Sequence, residues 1–297
     1  MRSFIASDVC CGSLHPRTAA CAYQVAWSIN PHMIIGSADP VRAQHQHAAL
    51  IRTVRELGAH VSMLPFVHGA FDCVFAKDNA VYVHTQGRAS ALLASPRHAV
   101  RRAEQRSRAR DLRRAGMHVH AIAAPFEGGD VHVLPAGRGA ILGHGFRSSP
   151  EAIRPLRELT RVPVFPLELV DPALYHLDTA LTVLADGTAL VCDEAFSPAS
   201  RRAMRCLPLR DIITISRSET TRFALNVVEI DGTVVTGTDS PEVTDVLRSL
   251  GKRVVHTPLD EFQRAGGSAA CLLAPVHGAD QATVAQAATA AIRSTAA

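Results

Sequence analysis

Three short segments of this sequence set residues fit for proton transfer, cation binding and nucleophilic attack among apolar neighbours. The first is Phe126-Glu127-Gly128-Gly129-Asp130. Paired glycines let a backbone take unusual angles and approach a ligand closely, and here they would present the carboxylates of Glu127 and Asp130 at strand ends. The second is Tyr175-His176-Leu177-Asp178-Thr179, which enters a strongly apolar run. In an extended chain His176 and Asp178 point to one face, about 7 Å apart at roughly 3.3 Å per residue. A histidine and a carboxylate so placed could hold a cation and move its protons. The third is Gly266-Gly267-Ser268-Ala269-Ala270-Cys271, a cysteine after a glycine-rich turn and before an apolar strand, as at the mouth of a cleft. Each segment also has a plain reading: a solvated turn, a core histidine beside a strand-edge acid, and a small buried hydrophobe. Together, a cysteine, a histidine and a carboxylate distant in sequence are the parts of an activated thiolate.

Positioning them requires a scaffold of short elements. β-like runs alternate with amphipathic helical stretches from Tyr23 onward. Tyr23–Ile29 reads as a strand stopped by Asn30-Pro31. Asp39-Pro40 opens a helix that runs to Leu57, with Asp as N-cap and Pro at the first helical position. A second, Arg-rich helix starts at Ser95-Pro96 and ends near Gly116. Hairpins are expected over Ala185-Asp186-Gly187 and Asp231-Gly232. Tight hairpins imply antiparallel pairs, so the pattern predicts an α/β or α+β fold and not a regular parallel array. Residues 1–22 read as a loosely ordered extension, residues 23–277 as a single catalytic domain, and 278–297 as an Ala-rich tail, expected to form a terminal helix.

Composition narrows the class. A chain of 297 residues, 47% hydrophobic, can bury one large core, and no linker divides it. A formal net charge of +4 is too small to imply a polyanionic partner. The helix 96–114 carries eight arginines, but without aromatic residues and with Glu104 and Asp111 among them, so a solvated face is expected and no nucleic-acid partner. The seven cysteines are odd in number and contain no C-x-x-C pair, which fits a reducing cytoplasm better than a disulfide framework. Cys10-Cys11 reads as an inert pair in preference to a redox or lipid site. His45 and His47 do not share a helix face, and the His118–His120 pair has no third ligand at metal spacing. No metal, cofactor or membrane segment is expected.

At this point a resemblance becomes specific. The three segments are similar to the signature of the guanidine-modifying superfamily known as penteins, which includes arginine deiminases, dimethylarginine dimethylaminohydrolases, arginine dihydrolases and amidinotransferases. Tyr23 followed by Ile29-Asn30-Pro31-x-Met33, the run Gly143-His144-Gly145-Phe146-Arg147-Ser148, and Leu225-Asn226-Val227-Val228 resemble the branch with bacterial arginine dihydrolases. The likeness covers residues 23–277. It implies a five-bladed α/β propeller with the active site in its central channel.

It also implies roles. Asp78 and Asp178 match the two acids that grip the guanidinium, and Cys271 the nucleophile that forms a covalent thiouronium. His176 matches the proton carrier, Glu127 its partner, and Arg147 a residue that grips the α-carboxylate, although Ser148 departs from the usual Thr. Asn226 is expected to support the site from behind. The implied activity is hydrolysis of a linear amidine C–N bond, taking arginine or an N-methylated relative to citrulline or another ureido product. Arginine dihydrolases carry Asn at the position of Asp78, so an acid here favours a single hydrolysis. An acid at Asp178 favours an unmethylated guanidine. The alternatives are dimethylarginine dimethylaminohydrolase activity proper, an amidinotransferase, for which His176-Leu177-Asp178 departs from the usual H-I-D, or a non-catalytic guanidine binder. A small guanidino compound is the expected partner, with a homodimer also open.

Overall fold

The computed structural model describes residues 2–12 and 21–278. Among them, fifteen short strands fall into five groups of three. β1 (Ser3–Ser7) and β2 (His60–Leu64) are parallel, joined by the helix Pro40–Glu56. β3 (Ala80–Thr85) and β4 (Arg88–Leu93) form an antiparallel hairpin, and the helix Ala99–Arg114 returns the chain to β5 (His118–His120), parallel to β4. The same order recurs in β6 (Val131–Val133), β7 (Ala140–His144) and β8 (Val164–Glu168), with the helix Ile153–Thr160 before the third strand. It recurs in β9 (Leu181–Val183), β10 (Thr188–Val191) and β11 (Asp211–Thr214), and again in β12 (Val228–Ile230), β13 (Thr233–Thr236) and β14 (Arg253–His256). The last strand, β15 (Ala274–His277), lies antiparallel to β1, so the remaining group combines strands from both ends of the chain. β15 also pairs with β3, which makes a six-stranded sheet in the order β2-β1-β15-β3-β4-β5.

The local causes are legible. Asp39 accepts from the amides of Val41 and Arg42, at 2.8 and 3.2 Å, and so caps the first helix as its sequence predicts. Asp231 and Gly232 both have positive φ, 44° and 78°, the geometry that a two-residue hairpin with right-handed strand twist requires. The α/β expectation therefore holds, with parallel and antiparallel pairing mixed inside every group.

Two expectations fail. Residues 1–22 were expected to be a loose extension, yet Ser3–Ser7 is a central strand, buried at every position between β2 and β15. A five-residue run covered on both faces shows no alternation to read. Tyr23–Ile29 is irregular; beside the bridge between Cys10 and Ala22, the Tyr23 amide donates to the Val9 carbonyl at 2.9 Å. It is held by Tyr23, whose ring stacks on Phe262 and whose hydroxyl donates to the Glu261 carbonyl at 3.0 Å. The Ala-rich tail, apart from Gly278, and part of the extension lie outside the described residues.

A fully buried arginine pins the elements that carry the candidate site. Arg108 donates to Asn79 Oδ1 (2.6 Å), the Pro65 carbonyl (2.6 Å), Ser7 Oγ (2.5 Å) and the Cys73 carbonyl (2.9 Å). It thus joins β1, the loop after β2 and the turn before β3. Replacing Arg108 with Met leaves these buried acceptors without a donor, a loss of about 3–5 kcal/mol. A large fall in the urea midpoint is expected; an unchanged midpoint would mean that water replaces the guanidinium at no cost.

Candidate active site

Each group of strands delivers a polar residue just before the strand that pairs antiparallel with its middle strand. Asp78 lies in the helical turn Ala76–Asn79 before β3, Glu127 precedes the turn Gly128–Asp130 before β6, and Asp178 lies in the turn Leu177–Ala180 before β9. Asn226 stands two residues before β12, and Cys271 in the turn Ala269–Leu272 before β15. All five are buried, and their side chains meet.

Cys271 Sγ lies 3.7 and 3.8 Å from the two carboxylate oxygens of Asp178 and 3.2 Å from Asn226 Nδ2. The Asn226 side chain is fixed at both ends: its oxygen accepts from the Cys271 amide at 3.2 Å and its nitrogen donates to the Asp178 carbonyl at 3.0 Å. Lys77 Nζ is 3.0 Å from Asp178 Oδ2. On the other side, His176 Nδ1 is 3.6 Å from Asp78 Oδ1, and His176 Nε2 is 3.2 Å from Glu127 Oε2. Arg147 reaches Glu127 Oε1 at 3.4 Å, donates to the Ile29 carbonyl at 3.0 Å and sits over the Tyr175 ring.

The structure thus brings together all seven residues expected from sequence: Cys271, His176, Glu127, Asp78, Asp178, Arg147 and Asn226. The expected geometry of one pair is wrong. His176 is extended, but Leu177–Ala180 forms a helical turn, so Asp178 turns to the thiol and does not share a strand face with His176. Asp130 faces away from the cleft and accepts from the Leu177 amide at 3.1 Å. The paired glycines also serve a different purpose from backbone freedom, since neither Gly128 nor Gly129 has positive φ. A Cβ on Gly129 would lie 2.6 Å from Asp78 Oδ1 and 2.8 Å from His176 Nδ1, so only glycine leaves those side chains their place.

Sequence reasoning missed Arg101. The helix Ala99–Arg114 does carry a solvated face with Arg102, Arg106, Arg110, Arg113 and Arg114, but Arg101, Glu104 and Arg108 are buried on another. Arg101 Nη1 lies 3.2 Å from Asp78 and 3.7 Å from Glu127, and Nη2 lies 3.0 Å from Glu104. The spacing 101, 104, 108 is one helical stripe, and that periodicity was the available signal. Lys77 was also missed.

Burial and charge set the protonation states. Burial pulls the His176 pKa down, but Asp78, Asp130 and Glu127 outweigh it and raise it to about 9. Burial works against the Glu127 carboxylate, yet His176, Arg147 and Arg101 hold it below its ordinary range. Asp130 is pushed up to about 7, chiefly by burial. Burial, then Asp178 and Asp78, push the Cys271 thiol well above its ordinary value, with Lys77 pulling the other way. The resting site is therefore a thiol beside an imidazolium. The buried acids Asp72, Asp78, Glu104, Glu127, Asp130 and Asp178 lie among the cations Lys77, Arg101, Arg108, Arg147 and His176. Asp78, Asp178 and Cys271 converge, with donor atoms within 4.8 Å of one another. Such a convergence can receive a cation, organic or metallic.

The cleft over these groups has a volume of only about 10 Å3 and is covered by Ile29, Asn30, Met33 and Tyr175. Tyr175 donates to the Gly266 carbonyl at 2.6 Å, and Asn30 to the Ala265 carbonyl at 3.1 Å. Gly266, at φ +89°, allows this closure, since a Cβ would fall 2.6 Å from the Tyr175 oxygen. A larger cavity of about 660 Å3 lies behind, lined by Lys77, His132 and His277, and touches none of Cys271, His176 or Glu127.

The chain is similar to known proteins in sequence and in structure. The family model described as "N,N dimethylarginine dimethylhydrolase, eukaryotic" matches residues 31–278. An N(G),N(G)-dimethylarginine dimethylaminohydrolase of Mycobacterium tuberculosis is 32% identical over 257 residues, which is 86% of this chain and 83% of that one. The bifunctional arginine dihydrolase/ornithine cyclodeaminase ArgZ of Synechocystis is 30% identical over 84% of this chain but only 36% of its own length. The N-terminal domain of ArgZ, covalently bound to a reaction intermediate, matches in structure with a TM-score of 0.84 at 27% identity, covering 93% of this chain and 98% of that one.

The charge pattern makes a testable statement about pH. His176 should titrate near 9 by NMR. Its folded pKa lies above the ordinary 6.5, so folding favours the protonated form. That contribution is fully present below pH 6.5 and is lost as pH rises through about 9. Glu127→Gln should lower the midpoint by about one unit or more and flatten this loss of stability. A His176 midpoint unmoved by Glu127→Gln would refute the pairing.

Proposed function

Because the chain belongs to the dimethylarginine dimethylaminohydrolase family, we propose that it is a cysteine-dependent hydrolase of a guanidine C–N bond. The observation that carries this reading is the buried convergence of one thiol with two carboxylates, Asp78 and Asp178. A guanidinium is planar, permanently charged and suited to bidentate carboxylate pairing. Placed there, it offsets the electrostatic penalty that keeps Cys271 protonated, and the thiol gives its proton to solvent as the cation binds.

The steps follow from the side chains. The Cys271 thiolate adds to the central guanidinium carbon. His176, charged at neutral pH, gives its proton to the departing nitrogen, which leaves as an amine or ammonia. The substrate carbon is now held to sulfur as a thiouronium. Neutral His176 takes a proton from water, the hydroxide adds to that carbon, and the C–S bond breaks to return the thiolate and a ureido product. Glu127 stabilises the imidazolium, Arg101 and Lys77 pair with Asp78 and Asp178, and Asn226 orients the sulfur. Arg147 and Arg101 border the cleft and suit the α-carboxylate of an amino acid. The cover formed by Ile29, Asn30 and Met33 must move aside, because the closed cleft is smaller than a guanidinium.

Arginine hydrolysed once to citrulline and ammonia is the favoured reaction. Asp178 lies against the sulfur as an acceptor, and an unmethylated NH2 can donate to it. A dimethylated nitrogen cannot. Dimethylarginine is the second reading, favoured by the matching family and by the mycobacterial relative. We also infer that the five strand groups close into a five-bladed propeller, supported by the recurring order of pairing and by the joining of β15 to β1. A cytoplasmic location fits the unpatterned cysteines.

Incubation with arginine, dimethylarginine and short guanidino acids, with products read by mass, tests the proposal. One ammonia per citrulline is expected, and dimethylamine would select the second reading. Two ammonia with ornithine would overturn the role of Asp78. Cys271→Ser should bind substrate but lose turnover by at least about 10³-fold and form no covalent adduct.

A further inference from the structure

Away from the cleft, soft donor groups from separate parts of the chain converge. The sulfurs of Cys11 and Cys21 and a ring nitrogen of His68 lie within 4.8 Å of one another. Cys21 Sγ is 3.2 Å from His68 Nδ1. The Cys11 amide donates to the Cys21 carbonyl at 2.8 Å, and the bridge between Cys10 and Ala22 continues the pairing, so the two cysteine segments run side by side. His68 stands in a bend closed by the Ala70 amide on the Val67 carbonyl at 2.9 Å, with Gly69 at φ +72°. Cys11 and His68 are exposed and Cys21 is half-buried, so an ion can reach them from solvent. None of the three enters the hydrolytic reading.

We propose that Cys11, Cys21 and His68 form a binding site for a thiophilic metal ion, Zn2+ in the first instance, with a fourth position left to water. Two thiolates and an imidazole are donors that zinc accepts. Zn–S of about 2.3 Å and Zn–N of about 2.0 Å at tetrahedral angles set sulfur and nitrogen about 3.6 Å apart. The Cys21–His68 separation is within a few tenths of an ångström of that edge. Cys10 stays outside the set, since its thiol is directed to the Gly12 carbonyl at 3.4 Å. On binding, each of the two thiols gives its proton to solvent and His68 ligates as the neutral imidazole through Nδ1, so two protons are released per ion. No redox change is involved. The ion would clip residues 11 and 21 to the bend at 68, three residues before the turn Phe71–Val74 that carries Asp72.

The catalytic cluster of Asp78, Asp178 and Cys271 could also attract a metal, so the test uses the full chain carrying Cys271→Ser. This protein, reduced and free of metal, is titrated with Co2+ and then Zn2+ under anaerobic conditions. One equivalent of cobalt should give a sulfur-to-cobalt charge-transfer band, which zinc bleaches with release of two protons. Zinc should also raise the melting temperature. Adding Cys21→Ser or the exposed His68→Ala should weaken zinc binding at least about 10-fold and remove the thermal shift, whereas Cys10→Ser should change neither. Absence of the band, a band that survives Cys21→Ser, or a Cys11–Cys21 disulfide that leaves no thiolate for the ion in the untreated protein would each overturn the proposal.

Discussion

A sulfur held against a carboxylate in a dry interior is an unfavourable contact, and most of the polar architecture of this protein can be traced to it. Cys271 and Asp178 repel any second negative charge, and Asp78 and Glu127 add to the field from the opposite side. The fold tolerates this concentration of acids because it supplies fixed counter-charges from other elements. Lys77 comes from the turn before β3, Arg147 from the loop after β7, and Arg101 from a helix that composition alone would assign to the surface. Arg101 is instructive: it is a guanidinium already bound to Asp78 and Glu127. The protein holds an internal copy of the chemical group it is proposed to act on, and uses it to orient the acids that await the external one.

The second organising constraint is repetition of form without repetition of sequence. Asp78, Glu127, Asp178, Asn226 and Cys271 occupy corresponding places, each shortly before the strand that pairs antiparallel with the middle strand of its group. That placement turns five distant chain positions into neighbours, and it lets one position supply a nucleophile while others supply acids or an amide. Gly129 shows how tight the meeting point is, since one methyl group there would collide with both Asp78 and His176.

Much of the site could be read in the sequence because its chemistry is concentrated in short motifs. Glu127, His176, Asp178 and Cys271 stand out among glycines and apolar residues, and resemblance supplied Asp78, Arg147 and Asn226. What stayed hidden depends on tertiary context. The turn at Leu177–Ala180 replaces the extended run expected from its β-prone neighbours, because the Asp130 carboxylate captures the Leu177 amide. Arg101 and Arg108 were lost among eight arginines whose abundance masked a stripe spaced by three and four residues. The strand Ser3–Ser7 was invisible because its partners lie at residues 60–64 and 274–275, and no local pattern announces pairing over such distances.

That last pairing has a kinetic side. Phe4 and Ile5 meet Pro275 and Ala274 across nearly the whole chain, so loop closure makes this among the most entropically demanding contacts to form. Cys271 lies three residues before β15 and reaches Asn226 and Asp178 only as that strand docks. A chain that has assembled its other groups but not this one holds buried acids and no sulfur among them. The arrival of the nucleophile among the acids thereby coincides with the closing of the sheet.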